Sequence, residues 1–259
     1  MESVRPWLDS MYARGHVTFT LDDARRLRDA SLASTLSVLS RAQRDALLFS
    51  PTRGFYVIVP PEYRRDGAPP WRWFLSPMFR HLGAPYYVGL LTAAAQHGAS
   101  PQVAQEIQVV VDRQVRPKVA GRQRIIFIRR MRAAQAPVIE VTTPTGSVRV
   151  STPEMTMLDL VAYPRHAAGW GNIASILPDL VPLTSRRGWK DALRVAPRVS
   201  EVQRLGHLLH RIGAGHTDVL ATWLHGHVVE PTVLVPGGDR TGVFDPRWKV
   251  LVNAPVETD

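Results

Sequence analysis

The sequence predicts an α+β chain in which a winged helix-turn-helix over residues 1–77 precedes a larger mixed α+β domain over residues 78–259. Three observations predict it. Apolar residues near the amino terminus recur at helical spacing in three short stretches, and two β-rich runs around a glycine turn follow them. Between residues 107 and 150 the chain holds four runs rich in Val and Ile. From about residue 152 it reads as helical to about Gly226, then returns to β-prone runs.

In the first stretch Val4, Trp7, Leu8, Met11 and Tyr12 stand at i, i+3, i+4, i+7 and i+8, the stripe of an amphipathic helix. Gly15 suits the residue just past its end. His16 to Phe19 is a short β-prone segment, and Thr20 before Leu21-Asp22-Asp23 is an N-cap with acids in the first turn. Leu21, Ala24 and Leu27 supply the buried side of this second helix. A third helix runs from after Ser31 to about Arg44, with Leu32, Leu36 and Leu39 expected to face the core. Leu47–Ser50 and Phe55–Val59, joined through Pro51-Thr52-Arg53-Gly54, read as a hairpin. Helix, strand, helix, helix, hairpin is the order of a winged helix-turn-helix.

Pro60-Pro61 and Arg64 to Pro70 read as a linker or an ordered connecting loop. Trp71, Trp73 and Phe74 follow at once and are expected to pack rather than to stack on bases. In the second domain Pro85 to His97 reads as a helix closed by Gly98. Ile107–Val111, Ile125–Ile128, Val138–Val141 and Ser147–Val150 read as strands. Ser151-Thr152-Pro153-Glu154 has the spacing of a capping box and opens a helix to about Tyr163. Thr232–Val235 and Trp248–Val252 close the chain as β-prone runs.

Composition narrows the function. With 45% apolar residues the chain can bury a core, and the net charge of +10 with a pI near 10.7 favours a polyanionic partner. The 32 basic residues are 29 Arg and 3 Lys, and the planar guanidinium fork suits phosphate. The absence of cysteine removes disulfides, thiolate zinc sites, iron–sulfur clusters and thiol nucleophiles. No secretory signal or membrane-length apolar run is present, so a soluble cytoplasmic protein is expected.

At 100° per residue the face of the third helix opposite its leucines carries Ser34, Ser37, Val38, Arg41 and Arg44, small or cationic and free of acids. Such a helix can enter a major groove while the hairpin tip, with Arg53, meets the backbone. The expected partner is double-stranded DNA, and the expected contacts are Ser34, Ser37, Arg41, Arg44 and Arg53. A small three-helix unit with a hairpin also serves as a protein–protein module; the acid-free face and the charge favour DNA. Arg113, Arg116, Lys118, Arg122, Arg124, Arg129, Arg130 and Arg132 fall within twenty residues that contain no acid. They are expected to form a second, polyanion-facing surface rather than a merely solvated face.

These residues carry a family resemblance. Arg53 to Tyr63, Tyr86-Tyr87-Val88-Gly89-Leu90-Leu91 with His97-Gly98, Ser151 to Thr156 with Leu158-Asp159-Leu160, and Trp248 to Asn253 resemble the AbiEi-type antitoxins of bacterial type IV toxin–antitoxin systems. No single motif is specific; order and spacing carry the match. The resemblance implies a repressor that binds repeats in its own promoter through the winged helix. It also implies a second domain that counters a co-encoded nucleotidyltransferase toxin without a stable complex, and no enzymatic activity or cofactor. An autonomous winged-helix transcription factor without a toxin partner is the alternative.

A nuclease is the rival from another class. Asp112 and Glu140 in a basic α+β domain suggest a restriction-endonuclease-like site, but Glu140 is followed by Val141-Thr142 where the magnesium site needs Glu-x-Lys. His207, His210, His216, His225 and His227 crowd within 21 residues, and His-x-x-His on a helix can ligate zinc. The segment has no Cys and no nearby acid at ligand spacing except Asp218 and Glu230, so packing or surface histidines are expected. The Gly-rich stretch Val235–Gly242 lacks the Gly-Lys-Ser/Thr ending of a phosphate loop. No Gly-x-Ser-x-Gly elbow is present for a serine hydrolase.

Overall fold

The computed structural model describes residues 4–29, 31–99, 106–116, 118–195 and 198–255. By its contacts the chain divides into two compact units. The first comprises Met1–Tyr87, Gln105–Met131 and Glu140–Arg149, and the second Val88–Ala104, Arg132–Ile139 and Val150–Asp259. The division differs from a single boundary after residue 77, because the arginine-rich strands fall with the amino-terminal helices.

The first unit opens with α1 (Val4–Ala13), β1 (Thr18–Thr20), α2 (Leu21–Arg28), α3 (Leu32–Arg44), β2 (Leu48–Thr52) and β3 (Phe55–Ile58), in a sheet of order β1-β3-β2. This is the expected winged helix-turn-helix. Its caps form as the residue types dictate: the Thr20 hydroxyl accepts from the Asp23 amide while the Asp23 carboxylate accepts from the Thr20 amide, and the Ser31 hydroxyl accepts from the Ser34 amide. Leu8, Phe19, Ala24, Leu39, Ala42, Leu47, Leu48, Tyr56 and Ile58 form its core. Phe19 ties the elements together, edge-on to Trp7 at 5.1 Å and stacked on Tyr56 at 5.5 Å.

Short 3₁₀ turns at Pro61–Tyr63 and Trp71–Trp73 lead to α4 (Leu75–Leu82) and β4 (Tyr86–Val88). The expected packing role of the aromatics holds. Phe74 is fully buried against Phe49 of β2 (5.7 Å), and Trp73 lies edge-on to Tyr63 (5.4 Å). The helix expected over 85–97 begins only at Leu90, as α5 (Leu90–Gln96). Tyr86, Tyr87 and Val88 are aromatic or β-branched and wholly buried, and they serve as a central strand instead.

That strand belongs to a mixed six-stranded sheet with β5 (Glu106–Val111), β6 (Lys118–Ala120), β7 (Gln123–Arg129), β8 (Val138–Thr143) and β9 (Gly146–Ser151), in the order β6-β7-β5-β4-β9-β8. β5 runs parallel to β7, and Val88 of β4 pairs in parallel with Val150 of β9, while β6 runs antiparallel to β7. The continuous run Val109-Val110-Val111 has no exposed surface, as a strand covered on both faces requires.

The second unit is built around α6 (Pro153–Ala162), buried from Glu154 to Val161 and packed by α5, α7 (Gly169–Leu180), α8 (Arg186–Leu193) and α9 (Val199–Arg211). Its N-cap is Thr152, not the expected Ser151, with Pro153 in the first turn. Glu154 therefore does not close a capping box; buried, it accepts the amide of Ser185 at 2.8 Å, just ahead of α8. After α10 (Thr217–His225), β10 (Thr232–Val233), β11 (Val243–Asp245) and β12 (Val250–Val252) form a small sheet of order β10-β12-β11 against α9. Gly206 of α9 lets the Trp248 ring lie against the helix, and a Cβ there would overlap that ring.

Candidate nucleic-acid interface

Thr35, Leu39 and Ala42 form the buried stripe of α3, all fully enclosed. Thr35 can lie there because its hydroxyl donates to the Ser31 carbonyl at 2.9 Å. This phase corrects the expected inward face: Leu39 points into the core, but Leu32 and Leu36 are 44% and 41% exposed. The opposite face stands as expected. Ser34, Ser37, Arg41 and Arg44 are exposed, Val38 is half-buried, and Ala33 and Ser40 join the exposed set. Arg41 donates to the Ser37 hydroxyl one turn earlier, at 3.5 Å. From Leu32 to Arg44 the helix carries no acid.

Arg53 is exposed at the tip of the β2–β3 hairpin, where Gly54 supplies the positive φ of +74° that the turn needs. The tip is braced from behind, a feature sequence reasoning missed. His81 Nε2 donates to the Arg53 carbonyl at 3.1 Å, and its ring lies 5.5 Å from that of Phe55. The wing therefore presents the Arg53 side chain from a supported backbone.

The arginine-rich stretch is less positive in space than in sequence. The β5–β7 register sets Glu106 opposite Arg124, which pairs with it at 2.9 Å. Asp66 in the connecting loop meets Arg122 at 3.5 Å, and Asp112 meets Arg113 at 3.2 Å. Such exposed pairs contribute little stability, about 0–1 kcal/mol each, but each cancels a local charge. Arg130 is only 8% exposed, so it is not part of a surface, and Lys118 is half-buried. Arg116, Arg129 and Arg132 remain exposed. Arg132 falls in the second unit and the other seven in the first.

Residues 87–211 match the family model of the AbiEi antitoxin C-terminal domain. The chain carries an AbiEi antitoxin domain. Among solved structures it is similar to that of the RV2827C protein from Mycobacterium tuberculosis. The TM-score is 0.68 at 18% identity, covering 96% of this chain and 90% of that one, which shows a shared fold. No curated protein matches the chain in sequence.

The AbiEi domain runs from β4 to the end of α9 and takes in the whole arginine-rich stretch. It also holds the two carboxylates weighed for a nuclease. Asp112 is engaged by Arg113, and Glu140 accepts the Ser147 hydroxyl at 2.6 Å. Glu140 lines an open cleft of about 620 Å³ with Ser76, Arg80, Tyr86, Ser147 and Arg149, and no lysine or second acid is in that lining. Among the described residues no three His, Asp or Glu side chains gather as metal ligands, and no helix is long and apolar enough to cross a membrane.

The histidines near the end of the AbiEi domain have separate surroundings. His227 stacks on Trp223 at 3.7 Å, while His207 is buried and its Nδ1 donates to Asp245 at 2.6 Å. Burial acts to raise the Asp245 pKa. The His207 hydrogen bond and the amides of Trp248 and Arg247 outweigh it and hold the carboxyl below its usual value. A depressed folded pKa contributes stability that is present above the unfolded pKa of about 3.9 and is lost as pH falls through the folded value. Asp245→Asn is therefore expected to lower the urea midpoint at pH 7, with the gap from wild type closing below about pH 4. A gap that stays constant with pH would show that the carboxylate charge is immaterial.

Proposed function

We propose that the protein is an antitoxin that represses its own promoter by setting α3 into the major groove while Arg53 at the wing tip meets a phosphate. One observation carries this reading: in a chain bearing an AbiEi domain, the exposed face Ser34-Ser37-Arg41-Arg44 is acid-free along the whole of α3. The serines allow close approach, the arginines supply guanidinium forks, and nothing on that face repels phosphate. In this reading the protein is a cytoplasmic regulator without enzymatic activity. Its functional partner is a co-encoded nucleotidyltransferase toxin, opposed without a stable complex.

The test is binding of the full chain to its own promoter fragment. Arg41→Ala and Ser34→Glu are each expected to weaken binding by about 1–3 kcal/mol, roughly 5- to 150-fold in Kd. Unchanged affinity in both variants would remove α3 as the reading helix. The antitoxin arm is tested separately, at the exposed cations of the arginine-rich stretch. Arg116→Glu, Arg129→Glu and Arg132→Glu combined, with buried Arg130 left intact, are expected to abolish rescue of cells expressing the toxin. Promoter binding should fall less than in the α3 variants. Survival of rescue in the triple variant would place antitoxicity elsewhere.

A further inference from the structure

Beside the acid-free, serine-lined face of α3, on its flank, stand two leucines with two-fifths of their surface in water. Leu32 and Leu36 lie one turn apart on the leading half of α3, 44% and 41% exposed, next to exposed Ala33 and Ser37. They are not core residues out of place, since Thr35, Leu39 and Ala42 already fill the inward stripe with no exposed surface. Arg41 and Arg44 occupy the trailing half. The exposed leucines of the helix thus lie in its first two turns, interspersed with Ser34 and Ser37, and its cations in its last.

The major groove also sets apolar and charged features apart. Phosphates line its walls, and the C5 methyl of thymine is the apolar feature that a base edge presents on its floor. A recognition helix contacts base edges with its amino-terminal residues. We infer that Leu32 and Leu36 read thymine methyl groups, so that the bound duplex carries thymines opposite the first two turns of α3 while Arg41 and Arg44 hold flanking phosphates. This inference rests on the DNA-binding reading and adds the base class that it selects. Leu27, 63% exposed on α2, lies outside the proposed contact and serves as a control.

The experiment compares two promoter fragments bound by the full chain, one natural and one with deoxyuridine replacing every thymine of the footprinted site, a change that removes only methyl groups. Wild type is expected to bind the deoxyuridine fragment roughly fourfold more weakly for each methyl contacted, from the transfer free energy of about one CH₂. Combined Leu32→Ala and Leu36→Ala should bind both fragments alike, while Leu27→Ala should keep the wild-type difference. Both leucines are exposed and alanine favours helix, so the double variant should fold, which circular dichroism checks. Equal binding of both fragments by wild type overturns the inference and leaves DNA binding standing. Failure of wild type to bind either fragment overturns the DNA reading itself. A dimer in sedimentation that the double variant loses, with no deoxyuridine effect, would assign the leucines to a second copy and also overturn the inference.

Discussion

Gly121→Ala is expected to destabilise the first unit by about 4 kcal/mol. Gly121 turns the chain between β6 and β7 at a φ of +58°, and a Cβ there would overlap the carbonyl oxygen of Asp66 and fall 2.9 Å from the Ala68 amide nitrogen. Those atoms are backbone and cannot swing aside as a side chain would. The same Asp66 carbonyl accepts the Arg122 amide at 3.0 Å, and Gln123, two residues past Gly121, accepts the Trp71 amide at 3.0 Å and donates to the Pro69 carbonyl at 3.3 Å. Left-handed strain of about 1–3 kcal/mol adds to about 1–3 kcal/mol for forcing two packed backbones apart. Hydrogen exchange should show β6, β7 and the loop around Asp66 losing protection together. A variant that kept wild-type protection there would show that the loop is not clamped to the strand pair.

The second large effect lies in α3. Leu39→Ala is expected to cost about 2–5 kcal/mol, because Leu39 is fully enclosed in the core of the winged helix and its loss leaves a cavity. Promoter affinity should fall as well, although no group on the outer face is touched, since a loosened α3 binds only from its ordered fraction. Leu36→Ala, the same substitution three residues earlier, should change stability by no more than about 0.5 kcal/mol. Urea denaturation of the two variants side by side reads the difference. Similar losses in both would contradict the phase of the helix.

That contrast shows what a single sequence can and cannot settle. The winged helix was legible because its punctuation is local: Thr20 with Asp23, Ser31 ahead of α3 and Gly54 in the turn act within three or four residues. The outer face of α3 was legible because serine hydroxyls and arginine guanidinium groups are costly to bury without partners. The inward phase was not. Three leucines fit one stripe well, and only a threonine able to satisfy its hydroxyl on the Ser31 carbonyl let the helix rotate toward Thr35 and Ala42. Long-range features were out of reach for the same reason. Glu106, Asp66 and His81 meet Arg124, Arg122 and the wing tip only through strand register and tertiary packing. The Tyr86–Val88 strand was misread because it is too short to show a period.

The chain passes between the two units five times, so neither is a stretch of contiguous sequence. A single proteolytic cut, or a gene fusion after residue 77, would not release the first unit whole: strands β5 to β7, some thirty to fifty residues downstream, would be left behind. Recombination that moves the first unit whole would have to exchange nearly the first 150 residues as one piece. A lineage built this way is expected to diversify by point substitution on α3 rather than by swapping modules.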